Sequence, residues 1–268
     1  LIVFRLYTFA RRIVAQRYLI LSLARREVKN QYIGSFLGVL WTFIQPMVLI
    51  FVFWFVFSVG FKVMPVENVP FVVWLTAGMA PWFLFAEILN GSAGIVVGNA
   101  HLIKKTIFPS EILPIVKLVS SLVTHTVFLG LLLVLVIGYG LPFTWYFLQF
   151  LYYVLCLCVL ALGIGWAVSA LNVFLRDVGQ MVAVILQVGF WATPIFWDIN
   201  IMPAKIHLLL KLNPVYYIIQ GYRESFITFV PFWHHWLYTL YFWSFALLCF
   251  LGGAFVFRKL KVQFADVL

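Results

Sequence analysis

The sequence predicts an all-α integral membrane protein, and three observations predict it. Residues 31–61 and 118–175 contain no Asp, Glu, Lys or Arg. The chain is 65% hydrophobic and only 10% charged. Its apolar runs are long and do not alternate, which selects helices over a barrel. A hydrocarbon core about 30 Å thick needs roughly 20 apolar residues per helix, so the first window holds one span and the second holds two. No soluble domain hides such a run.

The elements follow in order. Residues 1–30 carry seven basic side chains (Arg5, Arg11, Arg12, Arg17, Arg25, Arg26 and Lys29) against Glu27. Mixed with apolar residues, they predict one or two amphipathic helices on the cytoplasmic membrane surface. They are no secretory signal, because arginines interrupt the apolar run. A chain beginning at Leu1 rather than Met is expected to lack some N-terminal sequence. Six spans are expected, at 34–60, 71–98, 113–138, 146–173, 179–197 and 236–257. Gly138 to Pro142 supplies the turn between the third and fourth. Between spans five and six, Pro203 opens a short helix through Leu212. Asn213 and Pro214 then read as an N-cap and first-turn proline. The helix that follows puts Val215, Ile218, Ile219, Tyr222 and Phe226 on one face. Neither helix is long enough to span, so 198–235 reads as a re-entrant or interfacial hairpin, with a plain surface hairpin as the alternative. The tail, 258–268, is basic again. The whole of 1–268 reads as one transmembrane domain.

The net charge of +10 is concentrated at the N-terminus, the tail and the short loops. Arranged this way it is the positive-inside signal rather than a nucleic-acid patch. Both termini are then cytoplasmic, with 14 basic residues inside and four outside (Lys62, Lys205, Lys211 and Arg223). Cys156, Cys158 and Cys249 all fall in expected spans and read as small hydrophobes. No metal-ligand spacing, nucleophile elbow, paired carboxylates or phosphate loop is present.

Several residues stand out against this background. Asn172-Val-Phe-Leu-Arg176-Asp177 joins spans four and five. Arg176 and Asp177 suit the dipoles of the two helix ends, or they dock a cytoplasmic partner. Asn99 to Glu111 is a short basic loop that either sets topology or presents Lys104 and Lys105 to a soluble partner. In span five, Gln180, Val184, Gln187, Trp191 and Pro194 share a helical face. That face either glues helices or forms a wall for sugars, since amides bond hydroxyls and aromatic faces stack on sugar C–H surfaces. Glu87 lies inside span two, a functional position by default unless it is neutral or paired, for instance with His125. Ala161, Gly165 and Ser169 form a small-residue face for close packing.

Taken together, certain pieces resemble the permease subunits of the ABC-2 type polysaccharide exporters, most closely the O-antigen export permeases of Gram-negative bacteria. They are Arg26 to Tyr32, Leu37-Gly38 with Leu40-Trp41 and Pro46, and Gly78 to Phe83. Lys104-Lys105 with Phe108-Pro109 and Glu111 follow, then Asn172 to Asp177, Thr193 to Ile195, Leu212 to Pro214, and Gln220 to Arg223. The resemblance implies a homodimer in the bacterial inner membrane above two P-loop ATPase chains. ATP and Mg are expected on those chains, and no cofactor on this one. It maps a coupling helix to about 100–111, so His101, Lys104, Lys105, Phe108, Glu111, Arg176 and Asp177 would face the ATPase. Arg25, Arg26 and Lys29 would meet a lipid pyrophosphate. Spans one and five would line the path, with Trp41, Gln187 and Trp191 touching the polysaccharide. The hairpin at 203–229 would be an outer gate, carried by Asn213, Pro214, Tyr217 and Arg223. The implied cargo is a polyprenyl-pyrophosphate-linked polysaccharide. Teichoic-acid or capsule export is the related alternative. A lipid-linked glycosyl or acyl transferase and a stand-alone channel are the others, although Glu87, His101, Asp198 and His207 form no obvious catalytic set.

Overall fold

The computed structural model describes residues 11, 13–31, 35–62, 69–105 and 108–268. The expected basic positions Arg5 and Arg12 lie outside them, as do Thr106, Ile107 and the side chain of Lys105. Among the described residues every regular element is helical.

Helix α1 (Arg17–Asn30) turns Ile20 and Ala24, four residues apart, into an apolar cluster and leaves its other faces exposed. Helix α2 (Trp41–Trp54) accommodates Pro46 and continues as π-helical turns over Phe55–Gly60. Helix α3 (Phe71–Gly98) is the hub: 83% of its most apolar window is buried, against 11% for α2. After the short α4 (Ala100–Lys105), Pro114 opens α5 (Leu113–Gly138), where its missing N–H costs nothing. Helices α6 (Phe150–Phe174), α7 (Asp177–Ala192), α8 (Ala204–Lys211), α9 (Pro214–Arg223), α10 (Trp236–Leu260) and α11 (Phe264–Val267) complete the chain.

Among the described residues, five helical stretches are long and apolar enough to cross a bilayer: Trp41–Gly60, Phe71–Gly98, Ser110–Gly138, Trp145–Phe174 and Phe232–Val267. The segment expected as a span over 179–197 departs from that pattern. Helix α7 has 16 residues and a rise of about 24 Å. It stops at Ala192 because Pro194 disfavours helical backbone at the residue before it, and Thr193 is extended. Pro194 therefore does not share a helical face with Gln187 and Trp191, contrary to the expectation from spacing.

Two apolar clusters hold the helices. The larger surrounds α3, α5, α6 and α9. The smaller gathers α1, the end of α3, the start of α5 and the ends of α6 and α10 with Phe264. The small-residue face of α6 packs as expected: Ala161 and Ser169 are fully buried, and a Cβ on Gly165 would sit 2.9 Å from Ser92 Oγ of α3. The closest helix contact, however, is one that spacing did not reveal. Gly163 of α6 and Gly253 of α10 bring two backbones together, so a Cβ on Gly253 would collide with the Gly163 carbonyl. The adjacent Gly252 has nothing near its Cβ position. Gly253→Leu is therefore expected to destabilise by at least the 1–3 kcal/mol typical of overpacking, at about that scale per site. Gly252→Leu should leave the melting temperature in detergent unchanged. Equal melting temperatures for the two variants would refute the close-contact account.

The hairpin has two unlike halves. Helix α8 buries no residue, whereas α9 buries Val215, Tyr216, Tyr217, Ile218, Ile219, Tyr222 and Arg223. The apolar face expected at 215–226 is thus packed into the bundle, against α3 and α6.

Candidate functional site

Three places combine polar chemistry with position. The first is the end of the bundle that carries α1 and α4. Asn99, the C-cap of α3, accepts a hydrogen bond from Arg26 Nη2 at 2.8 Å and donates to the Ile95 carbonyl at 2.9 Å. Arg26 is thereby tied to the start of α4, while Arg25 and Lys29 stay exposed one helical turn apart on a shared side. His101 and Lys104 of α4 are exposed. Phe108 is half-buried in the smaller apolar cluster. Glu111 pairs with Lys261 of the tail at 2.9 Å, and its carbonyl accepts from Trp166 Nε1 at 3.0 Å. Helix α11 packs on α4. Asn172 Oδ1 accepts from Gly179 N at 2.9 Å, closing the α6–α7 turn and leaving Arg176 and Asp177 exposed. The expected coupling set therefore divides. His101, Lys104, Arg176 and Asp177 are open to a partner, whereas Phe108 and Glu111 brace the loop from within.

The second place is the pair of exposed faces on α2 and α7. Their hairpin-side ends converge through aromatic rings: Phe53–Phe190 at 5.6 Å, Phe53–Phe196 at 6.1 Å and Phe57–Phe196 at 5.2 Å between centroids. Trp41 begins α2, so it stands about 18 Å of helical rise from Phe53. Trp191 ends α7, and its ring meets Phe196 edge-on at 4.8 Å. It also lines an apolar cavity of about 250 Å³ bounded by Ile206 and Leu210 of α8. The structure thus places Trp41 at the start of α2 and Trp191 near the end of α7, toward opposite ends of the two helices rather than at one contact point. Between them Gln45, Gln180 and Gln187 are exposed. Helical spacing does not single out Gln45, although an amide one residue before Pro46 in an otherwise apolar run is a signal. Unsatisfied amides are costly in hydrocarbon, so polar groups in spans turn toward protein or a water-filled cavity.

The third place is the hairpin. Asn213 caps α9 as its spacing predicts: Oδ1 accepts from Val215 N at 3.0 Å, and Nδ2 donates to Thr193 Oγ1 at 2.9 Å. Pro214 occupies the first turn. The Tyr217 hydroxyl lies 3.1 Å from that of Tyr152 and 2.9 Å from Thr239 Oγ1, and its ring stacks on Phe242 at 4.8 Å. Burial pushes the Tyr217 phenol above its ordinary value, so it stays neutral. Arg223 is buried within this hairpin. Counted among the outer-side cations, it is only 2% exposed. Its guanidinium donates to the carbonyls of Pro194 at 2.9 Å and Ile195 at 2.7 Å. It also lies 3.5 Å from the Trp74 ring centroid. A Cβ on Gly78 would sit 2.8 Å from its Nη2. The neighbouring Tyr222 hydroxyl meets His125 Nε2 at 2.8 Å.

That bond corrects the partner suggested for Glu87. His125 is engaged with Tyr222, and Glu87 Oε1 instead accepts from Lys117 Nζ at 3.1 Å and Ser121 Oγ at 2.9 Å. Glu224, also buried, went unremarked in the sequence because it lies outside the long apolar windows. Among the described residues no group of three or more His, Cys, Asp or Glu is placed to hold a metal.

Comparison with known proteins adds an independent line. The family model described as ABC-2 type transporter matches residues 18–227. A protein named O-antigen export system permease protein RfbA, from Myxococcus xanthus, is 32% identical over 219 residues, covering 81% of this chain and 83% of that one. A protein of the same name from Klebsiella pneumoniae is 28% identical over 254 residues, covering 93% of this chain and 95% of its own. The polysialic acid transport protein KpsM of Escherichia coli is 24% identical over 217 residues, covering 78% of this chain and 81% of its own.

Proposed function

This chain belongs to the ABC-2 type transporter family, and from that premise we propose that it is the membrane-spanning permease subunit of an ATP-driven polysaccharide exporter. Its cargo is a polyprenyl-pyrophosphate-linked glycan, most specifically O-antigen, moved out across the bacterial inner membrane. The higher identity of the relatives named for O-antigen export favours that cargo over a capsular polysaccharide.

The observation that carries the reading is the row of exposed amides on α2 and α7. Hydrocarbon would leave Gln45, Gln180 and Gln187 unsatisfied. A second copy facing these helices would enclose them in a polar path, with Trp41 at one end and Trp191 at the other. In this arrangement α7 is the fifth of six spans, its limited length completed by the Thr193–Trp197 segment. Both termini are cytoplasmic, as the concentration of basic residues at the α1 end requires. ATP hydrolysis occurs on two separate P-loop chains. They seat against His101, Lys104, Lys105, Arg176 and Asp177, with Phe108 and Glu111 supporting from behind. Closure of the ATPases then moves α4 and, through the shared apolar cluster, the bundle. Arg25 and Lys29 offer paired cations to a lipid pyrophosphate. Arg26 adds its charge while holding α1 to Asn99. The hairpin, with Asn213, Pro214, Tyr217 and Arg223, covers the outer end of the path.

The test is co-purification from native membranes joined to an export assay. A P-loop ATPase should come down with the tagged chain in 1:1 ratio. Trp41→Ala with Trp191→Ala should reduce surface polysaccharide without loss of the ATPase. Purification without any ATPase across several mild detergents would refute the reading, and normal export by the double variant would remove the assigned path.

A further inference from the structure

We propose that the cavity enclosed by α8, α9 and the first turns of α10 holds the headgroup of a phospholipid with a primary ammonium, of the phosphatidylethanolamine type. The cavity has a volume of about 480 Å³. No residue of α2 or α7 lines it, although Tyr217 of the proposed outer gate does.

Its chemistry is graded from the inside outward. Tyr153, Tyr216, Tyr217, Tyr238 and Tyr241 supply aromatic walls. The buried Glu224 faces the same space, its Oε2 accepting from the Tyr153 hydroxyl at 3.4 Å. Aromatic faces around a carboxylate are the arrangement that recognises an ammonium, through ring quadrupoles and charge. Two further residues, Lys211 and His235, also line the cavity, and the His235 ring lies largely outside with Nε2 3.5 Å from Glu224 Oε1. Lys211 supplies a cation among the lining residues, where a phosphate linked to that ammonium would sit.

The mouth decides between a lipid and a soluble sugar. Leu208, Leu212 and Leu237 line the cavity and are themselves exposed. A soluble saccharide would leave these leucines uncovered, whereas acyl chains would cover them. The level is also appropriate. Trp233 and Trp236 are exposed beside the opening, and indoles concentrate at the headgroup layer. Glu224 disfavours an anionic headgroup. It also favours a primary ammonium over a choline, because only the former carries N–H groups to donate to a carboxylate.

The experiment uses the full chain, delipidated in detergent, with its melting temperature followed as palmitoyl-oleoyl phosphatidylethanolamine, phosphatidylcholine or phosphatidylglycerol is titrated in. Phosphatidylethanolamine should stabilise at the lowest mole fraction. Glu224→Gln should weaken it roughly tenfold, the scale of one charge-assisted hydrogen bond. Because Glu224 is buried, Lys211→Ala serves as the second variant, on an exposed side chain, and should weaken binding several-fold. Equal stabilisation by all three lipids, or unchanged affinity in a folded Lys211→Ala or Glu224→Gln protein, would overturn the site. So would stabilisation by soluble oligosaccharide with no response to phosphatidylethanolamine. These outcomes concern lipid affinity alone, so they fail or succeed independently of ATPase pairing and export.

Discussion

Arg223→Leu is expected to abolish export and to sharply lower the yield of folded protein. The guanidinium is the joint between α9 and the non-helical segment after α7, through the Pro194 and Ile195 carbonyls. Each hydrogen bond from a charged donor contributes about 1.5–3 kcal/mol, and leaving the buried carbonyls unmade adds a desolvation cost on the same scale. The stacking on Trp74 contributes about 2 kcal/mol more in a desolvated site. Arg223→Lys should rescue only partly, because an ammonium lacks the planar fork that reaches two carbonyls while lying on a ring. Gly78→Ala should reproduce much of the defect without touching the charge, since its Cβ would meet Nη2 at 2.8 Å. Melting temperature in detergent and surface polysaccharide in a complemented deletion strain measure both effects. A stable, exporting Arg223→Leu protein would show that α9 is held by apolar packing alone.

The second large effect is expected at the Glu87–Lys117 pair, and it should be asymmetric. The lysine side chain is 5% exposed and the glutamate 27%. Lys117 also lies across Gly91, where any Cβ would collide with it, so it has little room to move. Glu87→Gln strands the more deeply buried charge and should destabilise by about 3–5 kcal/mol, the range for breaking a buried pair from one side. Lys117→Met leaves the more exposed partner, a carboxylate that still accepts from Ser121 at 2.9 Å, so its effect should be smaller. The double variant, Glu87→Gln with Lys117→Met, removes both charges and should recover most of the loss, because a buried ion pair and a well-packed neutral pair are often near parity. Melting temperatures of the four proteins close the cycle. Additive losses in the double variant would mean that the two residues act separately.

These two sites mark where the sequence was legible and where it was not. The N-cap at Asn213 and the proline at 214 were readable because a cap is made by residues two positions apart. The exposed Lys104 of α4 and the Arg176–Asp177 turn were readable because their basic and polar runs interrupt apolar ones. The partner of Glu87 was not, since Lys117 is thirty positions away on another helix. The burial of Arg223 was not legible, because hydropathy weighs a charge by its chain neighbours. It cannot see two carbonyls 28 and 29 residues away. Likewise, Gly163 and Gly253 belong to no common motif, and only their meeting distinguishes Gly253 from Gly252.

What the sequence determined by itself is therefore the solvent, the helical class and the approximate position of each long apolar helix. Those depend on local hydropathy and on the need of every backbone group in lipid for an internal partner. Tertiary structure alone decided which charges are buried in pairs, which cations remain open, and that α9 is drawn into the bundle while α8 stays out. Those outcomes depend on packing between segments far apart in the chain, where a single bidentate arginine or a pair of facing glycines outweighs any local preference.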